Sequence, residues 1–387
     1  MCNKILYMSA ISCFALLINQ AMADNLSVNG SLKLQYGINS KDFSRMSISA
    51  NPNLTYSYDI NDYVTIGSHV RLGTNFMTNG ADDTTGSLNK NILDINSNTS
   101  SAYIFLKSPY AGNIQIGLTT PVAQSMKTSS IGSNGNFSQY VSLKNDTKFP
   151  YGYNVDDTIL AEPSIYSAYY GFSVPVISYY SPKIKGLEIG CSYILKDKNG
   201  DVGYRNIFDV GVKYENNLFS DINYSISGTV EHAVKALSSS DAKFNDLLAY
   251  SAGISVRYKN FTFAGSYGNL GKSGKEEITI SIPKTNGDSS NNTKKFKVIN
   301  SHFYDLGIKF ETNIFNVSAN YFYSSKKNSA DNKQEDNHSF SVYTLGLEKV
   351  LDDRLSFYAD IIYFTVDRPT LSNNSGYLTL IGAKLSF

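Results

Sequence analysis

Sixteen stretches of this chain repeat one pattern, in which apolar side chains occupy every second position over about ten residues. In the first, Leu26, Val28, Leu32, Leu34 and Tyr36 share one parity, and Ser, Asn, Lys and Gln share the other. Farther on, Leu248, Tyr250, Ala252, Ile254, Val256 and Tyr258 do the same. The segments fall near 26–37, 45–58, 63–74, 100–107, 113–119, 165–181, 186–196, 204–215, 220–234, 246–259, 261–269, 300–311, 314–324, 338–350, 354–366 and 376–387. A soluble sandwich also alternates. Strands of about ten residues, tilted near 45°, are however long enough to cross a bilayer. The connectors add an independent constraint. Short ones ("DIND", "SPYAG", "SPKIKG", "KN", "TN", "DD") alternate with long polar ones at about 38–44, 75–99, 120–164, 197–203, 235–245, 270–299, 325–337 and 367–375. A sandwich has no reason to keep that order. An all-β, transmembrane up-and-down antiparallel barrel of 16 strands requires it, with short periplasmic turns and long outer loops.

The start of the chain agrees with export. Lys4, the apolar run "ILYMSAISCFALLI" and the small-x-small site "AMA" read as a signal peptide over 1–23, leaving 24–387 as the barrel. Cys2 and Cys13 leave with it, so Cys191 remains as a small apolar strand residue with no partner in the mature chain. With 34 basic against 33 acidic side chains, nothing points to nucleic acid. There is no Trp, so Tyr and Phe must form the girdles at the membrane interfaces; Tyr58, Tyr63, Tyr214, Tyr258, Phe261, Phe315 and Phe357 stand at strand ends.

Parity also sorts the charges. If Leu32, Leu34, Met46, Ile48, Val70 and Leu72 face lipid, then Lys33, Arg45, His69 and Arg71 face the lumen. The opposite assignment would place cations in hydrocarbon at about 2–4 kcal/mol each. Arg257, Lys213 and Lys309 also face inward, as lumen lining. The longest connector, 120–164, carries Asp146, Asp156, Asp157 and Glu162 with Lys127, Lys144 and Lys148. Chemistry-bearing motifs are sparse. The four His show no metal spacing, and "GNLGKSGKE" has the wrong length and no Ser or Thr for a phosphate loop. Glu231 and His232 are sequence neighbours, which on a strand point to opposite faces. The chain reads as a non-enzyme without cofactor or metal.

The last stretch, "GYLTLIGAKLSF", puts Tyr377, Thr379, Ile381, Ala383, Leu385 and Phe387 on one face and Leu378, Leu380, Gly382, Lys384 and Ser386 on the other. In lipid an unpaired edge leaves backbone groups unsatisfied, so this strand is expected to pair with the first, near Leu26 to Tyr36.

Several stretches resemble the general, trimeric porins of Gram-negative bacteria: "SAYIFLKSPYAGNIQIGL", "VISYYSPKIKGLEIGCSYIL", "YTLGLEKVLDDRLSFYADIIYF" and the closing "GAKLSF", in family order across the mature chain. The resemblance implies a homotrimer in the bacterial outer membrane. It implies a third outer loop folded into the lumen, with Asp146, Asp156, Asp157 and Glu162 set against the basic strip. It also implies that Tyr377, Ile381, Leu385 and Phe387 form the signal read by the assembly machinery. The 120–164 loop lacks the Pro-Glu-Phe-Gly-Gly type of tip common in enterobacterial relatives. The expected function is a water-filled channel for passive diffusion of ions and small hydrophilic solutes. The alternatives are a surface antigen or adhesin with little channel activity, and an outer-membrane enzyme.

Overall fold

The computed structural model describes residues 25–39, 44–77, 94–128, 174–194, 204–218, 221–235, 244–275, 277–282, 292–330, 335–352, 354–367 and 374–387. Sixteen long strands follow one another around a closed antiparallel sheet. They are β1 (Leu26–Asn39), β2 (Ser44–Asn61), β3 (Val64–Met77), β4 (Asp94–Ser108), β5 (Gly112–Thr119), β6 (Val174–Tyr180), β7 (Leu187–Ile194) and β8 (Tyr204–Leu218). The circuit continues through β9 (Ile222–Lys235), β10 (Leu247–Tyr258), β11 (Phe261–Asn269), β12 (Asn292–Glu311), β13 (Phe315–Ala330), β14 (Glu335–Val350), β15 (Leu355–Asp367) and β16 (Asn374–Ser386). Each pairs with its sequence neighbour. β16 then pairs with β1 from Ser31↔Ser386 to Asn39↔Leu378, as the closing stretch of sequence requires.

Alternation explains which side of each strand is wet. Leu32, Leu34, Tyr36, Ile104, Ile116, Ile254, Leu345 and Ile381 point outward and stay 37–58% exposed, a surface that only lipid or another subunit accepts without cost. The short-turn girdle is in place: Tyr58, Tyr63, Tyr258, Phe261, Phe315 and Phe357 are exposed at strand ends, and Tyr214 packs edgewise on Tyr224 at 5.8 Å. A second row, not singled out from sequence, runs around the outside nearer the long loops. Tyr304, Tyr321, Tyr343 and Tyr363 on β12–β15 follow one another at 5.8, 4.8 and 6.2 Å between rings.

The structure corrects two expectations. First, some outer connectors are largely strand. β12 begins at Asn292 rather than about 300, and β13 runs to Ala330 rather than about 324. The short strand Glu277–Ile282 pairs with the extension of β12. Lys and Ser on the extra turns of ladder hid it from a search for apolar alternation. Conversely, the sixth strand begins at Val174 among the described residues, and the Pro175 in it faces Leu118 without ending the ladder. Second, the inner face is not polar throughout. Val174, Val176, Ile194, Ile207, Leu247, Phe303, Phe322, Phe340, Val342, Ile362, Phe364, Leu378 and Leu380 point inward and form one buried apolar cluster toward the long-loop end. Strands bearing apolar residues at both parities cannot be oriented by alternation alone.

The seam extends past the regular ladder. Phe387 N–H donates to the Gly30 carbonyl (3.1 Å), and Gly30 N–H donates to the Phe387 carbonyl (2.8 Å). A side chain on Gly30 would begin 2.9 Å from the Phe387 ring and 2.8 Å from the Asn51 carbonyl oxygen. Gly30→Val therefore overpacks the seam, at a cost of about 1–3 kcal/mol. The variant should insert but unfold in detergent at a lower temperature than wild type. An unchanged heat-shift on unboiled gels would show that the Phe387 contact does not carry the seam.

Candidate functional site: the lumen and the root of the third connector

After β5 the chain turns inward. Pro121 leads into a single helical turn, α1 (Val122–Ser125), and the chain then runs across the inner wall to Thr128. Val122, Ala123 and Met126 are 0, 3 and 3% exposed. The wall presents partners in sequence order along this path. Val122 N–H donates to Ser192 Oγ of β7 (3.1 Å), Ala123 N–H to Asp209 Oδ1 of β8 (3.3 Å), and Thr128 N–H to Ser227 Oγ of β9 (2.8 Å). Ser192 donates to Asp209 as well, and Ser125 and Tyr180 share a hydrogen bond of 2.7 Å.

Glycines make the seat. A Cβ on Gly190 or Gly211 would come 2.8–3.1 Å from Val122 and Met126, and one on Gly253 would come 2.0 Å from the Thr128 carbonyl oxygen. At Gly253 the obstacle is backbone, so no rotamer can relieve it.

Lys127 anchors the far end of this limb. Its ammonium lies 4.3 Å from the Phe303 ring centre. It shares a small recess with Thr229, Glu231, Ser251 and Phe303. Loss of water pushes its pKa down to about 8, while Asp305 and Glu231 pull it back up. Both acids are buried, and Ser266 Oγ donates to Asp305 at 2.9 Å. Asp360 is the fourth carboxylate buried on this half of the wall. None of these four was expected from sequence as part of the site. Their signal was available, since an acid at an inward parity flanked by apolar inward residues must be paired.

The opposite half of the lumen is basic. Lys33 of β1 points inward, stacks over the Tyr358 ring at 4.9 Å and is attracted by Asp360. Tyr358 in turn donates to Gln35 at 3.1 Å. His69 of β3 faces in, bonds Thr55 Oγ1 through Nδ1 (2.9 Å) and packs on Tyr103 at 5.0 Å. Arg71 is exposed to the lumen on the same strand, opposite Asn53 and Ser101. Arg45 lies in β2 opposite Gly37, on the inward register. Parity counting passed over two further bases of this sector. Lys107 of β4 and Lys384 of β16 are exposed inward residues, the latter opposite Lys33. Toward the short turns, charges pair off: Lys183 and Lys213 with Glu215, and Arg257 and Lys309 with Glu311. Asp146, Asp156, Asp157 and Glu162 lie outside the described residues. Tyr377, Ile381 and Leu385 point outward beside Phe387 on the lipid face of the seam.

For chemistry the site offers little. Among the described residues no group of three His, Cys, Asp or Glu could hold a metal. Glu231 is buried inward and His232 is exposed outward, so the two cannot act as a dyad.

A closed barrel with an apolar outer face, and a lumen crossed by a connector from its own wall, is an outer-membrane channel. The sequence matches the model of the family described as Gram-negative porin over residues 10–369, and the chain belongs to that family. The fold is shared with OmpF of Salmonella typhi in complex with daunomycin, at 11% identity over 94% of this chain and 98% of that one, with a TM-score of 0.60. OmpT of Vibrio cholerae, in its trimer form, gives 12%, 94%, 99% and 0.55 for the same quantities. The anion-selective porin from Comamonas acidovorans gives 13%, 94%, 99% and 0.53. At such identities the likeness is one of fold. A protein of Rickettsia bellii (strain RML369-C), described as uncharacterized, is 28% identical over 271 residues, which are 54% of this chain and 56% of that relative. The match thus spans little more than half of that relative's length.

The lysine clamp makes a pH-dependent prediction. An unfolded lysine holds its proton to about 10.5, whereas folded Lys127 releases it near 8. Between those values the unfolded chain binds more protons, so stability rises with pH across that window. The melting temperature of the barrel should rise from pH 8 to 10, and this increment should be missing in Lys127→Met. That variant should also lose about 3–5 kcal/mol at neutral pH, because it leaves Asp305 and Glu231 without their base. Equal pH slopes in the two proteins would refute the assignment.

Proposed function

We propose that the barrel is a passive diffusion channel for ions and small hydrophilic solutes. The observation that carries this reading is the inward turn at Pro121. The root of the longest connector docks on one side of the lumen and leaves the basic side lined by exposed charge. A wall built only to display loops has no need of a connector tied inside it. Lys33, Arg45, His69 and Arg71 line one side of the narrow zone in this proposal, and Asp146, Asp156, Asp157 and Glu162 of the same connector supply the other. A field across a narrow aqueous gap passes small polar solutes and slows apolar ones.

The working unit is proposed to be a homotrimer, a reading supported by the trimer form of the Vibrio cholerae neighbour. Residues 1–23 are proposed to be removed on export. The strand face bearing Tyr377, Ile381, Leu385 and Phe387 is proposed as the feature read during assembly.

Purified protein in planar bilayers should give stepwise conductance increments in groups of three. Protein that inserts stably without such steps would favour the surface-antigen alternative. Arg71→Ala and Asp157→Ala should each shift ion selectivity, in opposite directions. If neither changes the reversal potential, the narrow zone lies elsewhere.

A further inference from the structure

The inward charges of this barrel differ in more than sign. On β8–β15 the mid-wall acids Asp209, Glu231, Asp305 and Asp360 are 0, 5, 0 and 0% exposed. Three of them lie under the connector root: Asp209 accepts from Ala123, and Asp305 and Glu231 act on Lys127. Asp360 acts on Lys33. The acids nearer the short turns are committed as well. Glu215 and Glu311 are in ion pairs, and Glu348 accepts a hydrogen bond from Asn316 at 3.1 Å. The basic sector is arranged the other way. From β16 through β1 to β4, Lys384, Arg71 and Lys107 are exposed inward residues, and Lys33 is half-buried between them. Among the described inward residues of β16 and β1–β5, the one acid is Asp59, at the short-turn rim, where it accepts from Thr65 at 2.6 Å.

We infer that the channel prefers small anions, and that Lys33, Arg71, Lys107 and Lys384 set this preference. The connector root covers the acidic wall, so a permeating ion travels along the wall that remains wet. That wall is a basic crescent running across β16, β1, β3 and β4. Ion selectivity follows the charges that solution can reach, because a charge inside the wall is already compensated by its partner there. The narrowing segment and the acids therefore work together: the acids hold the root, and the root hides the acids. This inference rests on the channel reading and adds its sign.

Reversal potentials under a chloride salt gradient test it. Wild type should give the sign expected for greater anion permeability. The preference should shrink as ionic strength rises, because exposed charges are screened over about 10 Å at 0.1 M salt and 3 Å at 1 M. Lys107→Gln and Lys384→Gln, both at exposed positions that leave the seat of the connector intact, should each reduce it. The fourfold variant with Lys33→Gln and Arg71→Gln should abolish it. Lys349→Gln, which removes the same charge from the outer face, should leave it unchanged, and heat-shift gels would verify that each variant is folded. Cation preference in wild type, or anion preference that survives in the folded fourfold variant, would overturn the inference while leaving the channel intact. Absence of conductance altogether would instead count against the channel reading on which it rests.

Discussion

Every backbone N–H and C=O within a bilayer needs a partner from the protein, and a sheet can supply all of them only by closing on itself. In this chain that requirement is met where β16 meets β1. Ser31 to Asn39 pair with Ser386 to Leu378, and the reciprocal bonds between Gly30 and Phe387 carry the ladder to its edge. The rest follows from closure. A closed antiparallel sheet fixes an inside and an outside for each parity, so Leu34 and Ile381 meet lipid while Lys33 and Leu380 meet the lumen. It also gives the chain a cavity of its own, into which a connector can turn.

The connector that does so is held by groups that would be unfavourable anywhere else in the wall. Carboxylates buried behind a lipid face are tolerable only with donors or cations to satisfy them. Here the donors come from the inbound chain: the N–H of Ala123 for Asp209, and Lys127 for Asp305 and Glu231. Gly190, Gly211 and Gly253 give the root the depth to reach them. Burial of charge on one half of the lumen leaves exposed charge on the other. The electrical asymmetry of the pore is thereby built into the wall, whatever the outer loops contribute.

Much of this was legible in the residues. The period of two placed Leu32, Ile254 and Ile381 outside and Lys33, His69 and Arg71 inside, and the alternation of short and long connectors gave the strand order. The reading was least informative where a strand is apolar at both parities. Leu378, Leu380, Phe340 and Phe364 look lipid-facing by composition and point inward. It was also weak where a strand is polar at both, as in the parts of β12 and β13 that pass into what looked like loops. In both cases the alternating signal vanishes, although the backbone ladder continues.

By itself, then, the sequence determined the number of strands, their order, the face each presents and the basic character of one sector. These depend on local spacing along a single strand, and the pleat converts spacing directly into direction. Tertiary structure decided which acids meet Lys127, which glycines lie under Thr128 and which charges remain wet. Asp209 and Ala123 stand far apart in the chain, and so do Lys127 and Asp305. Their meeting depends on the curvature of a closed wall and on the path of a connector across it, and neither leaves a period in the sequence.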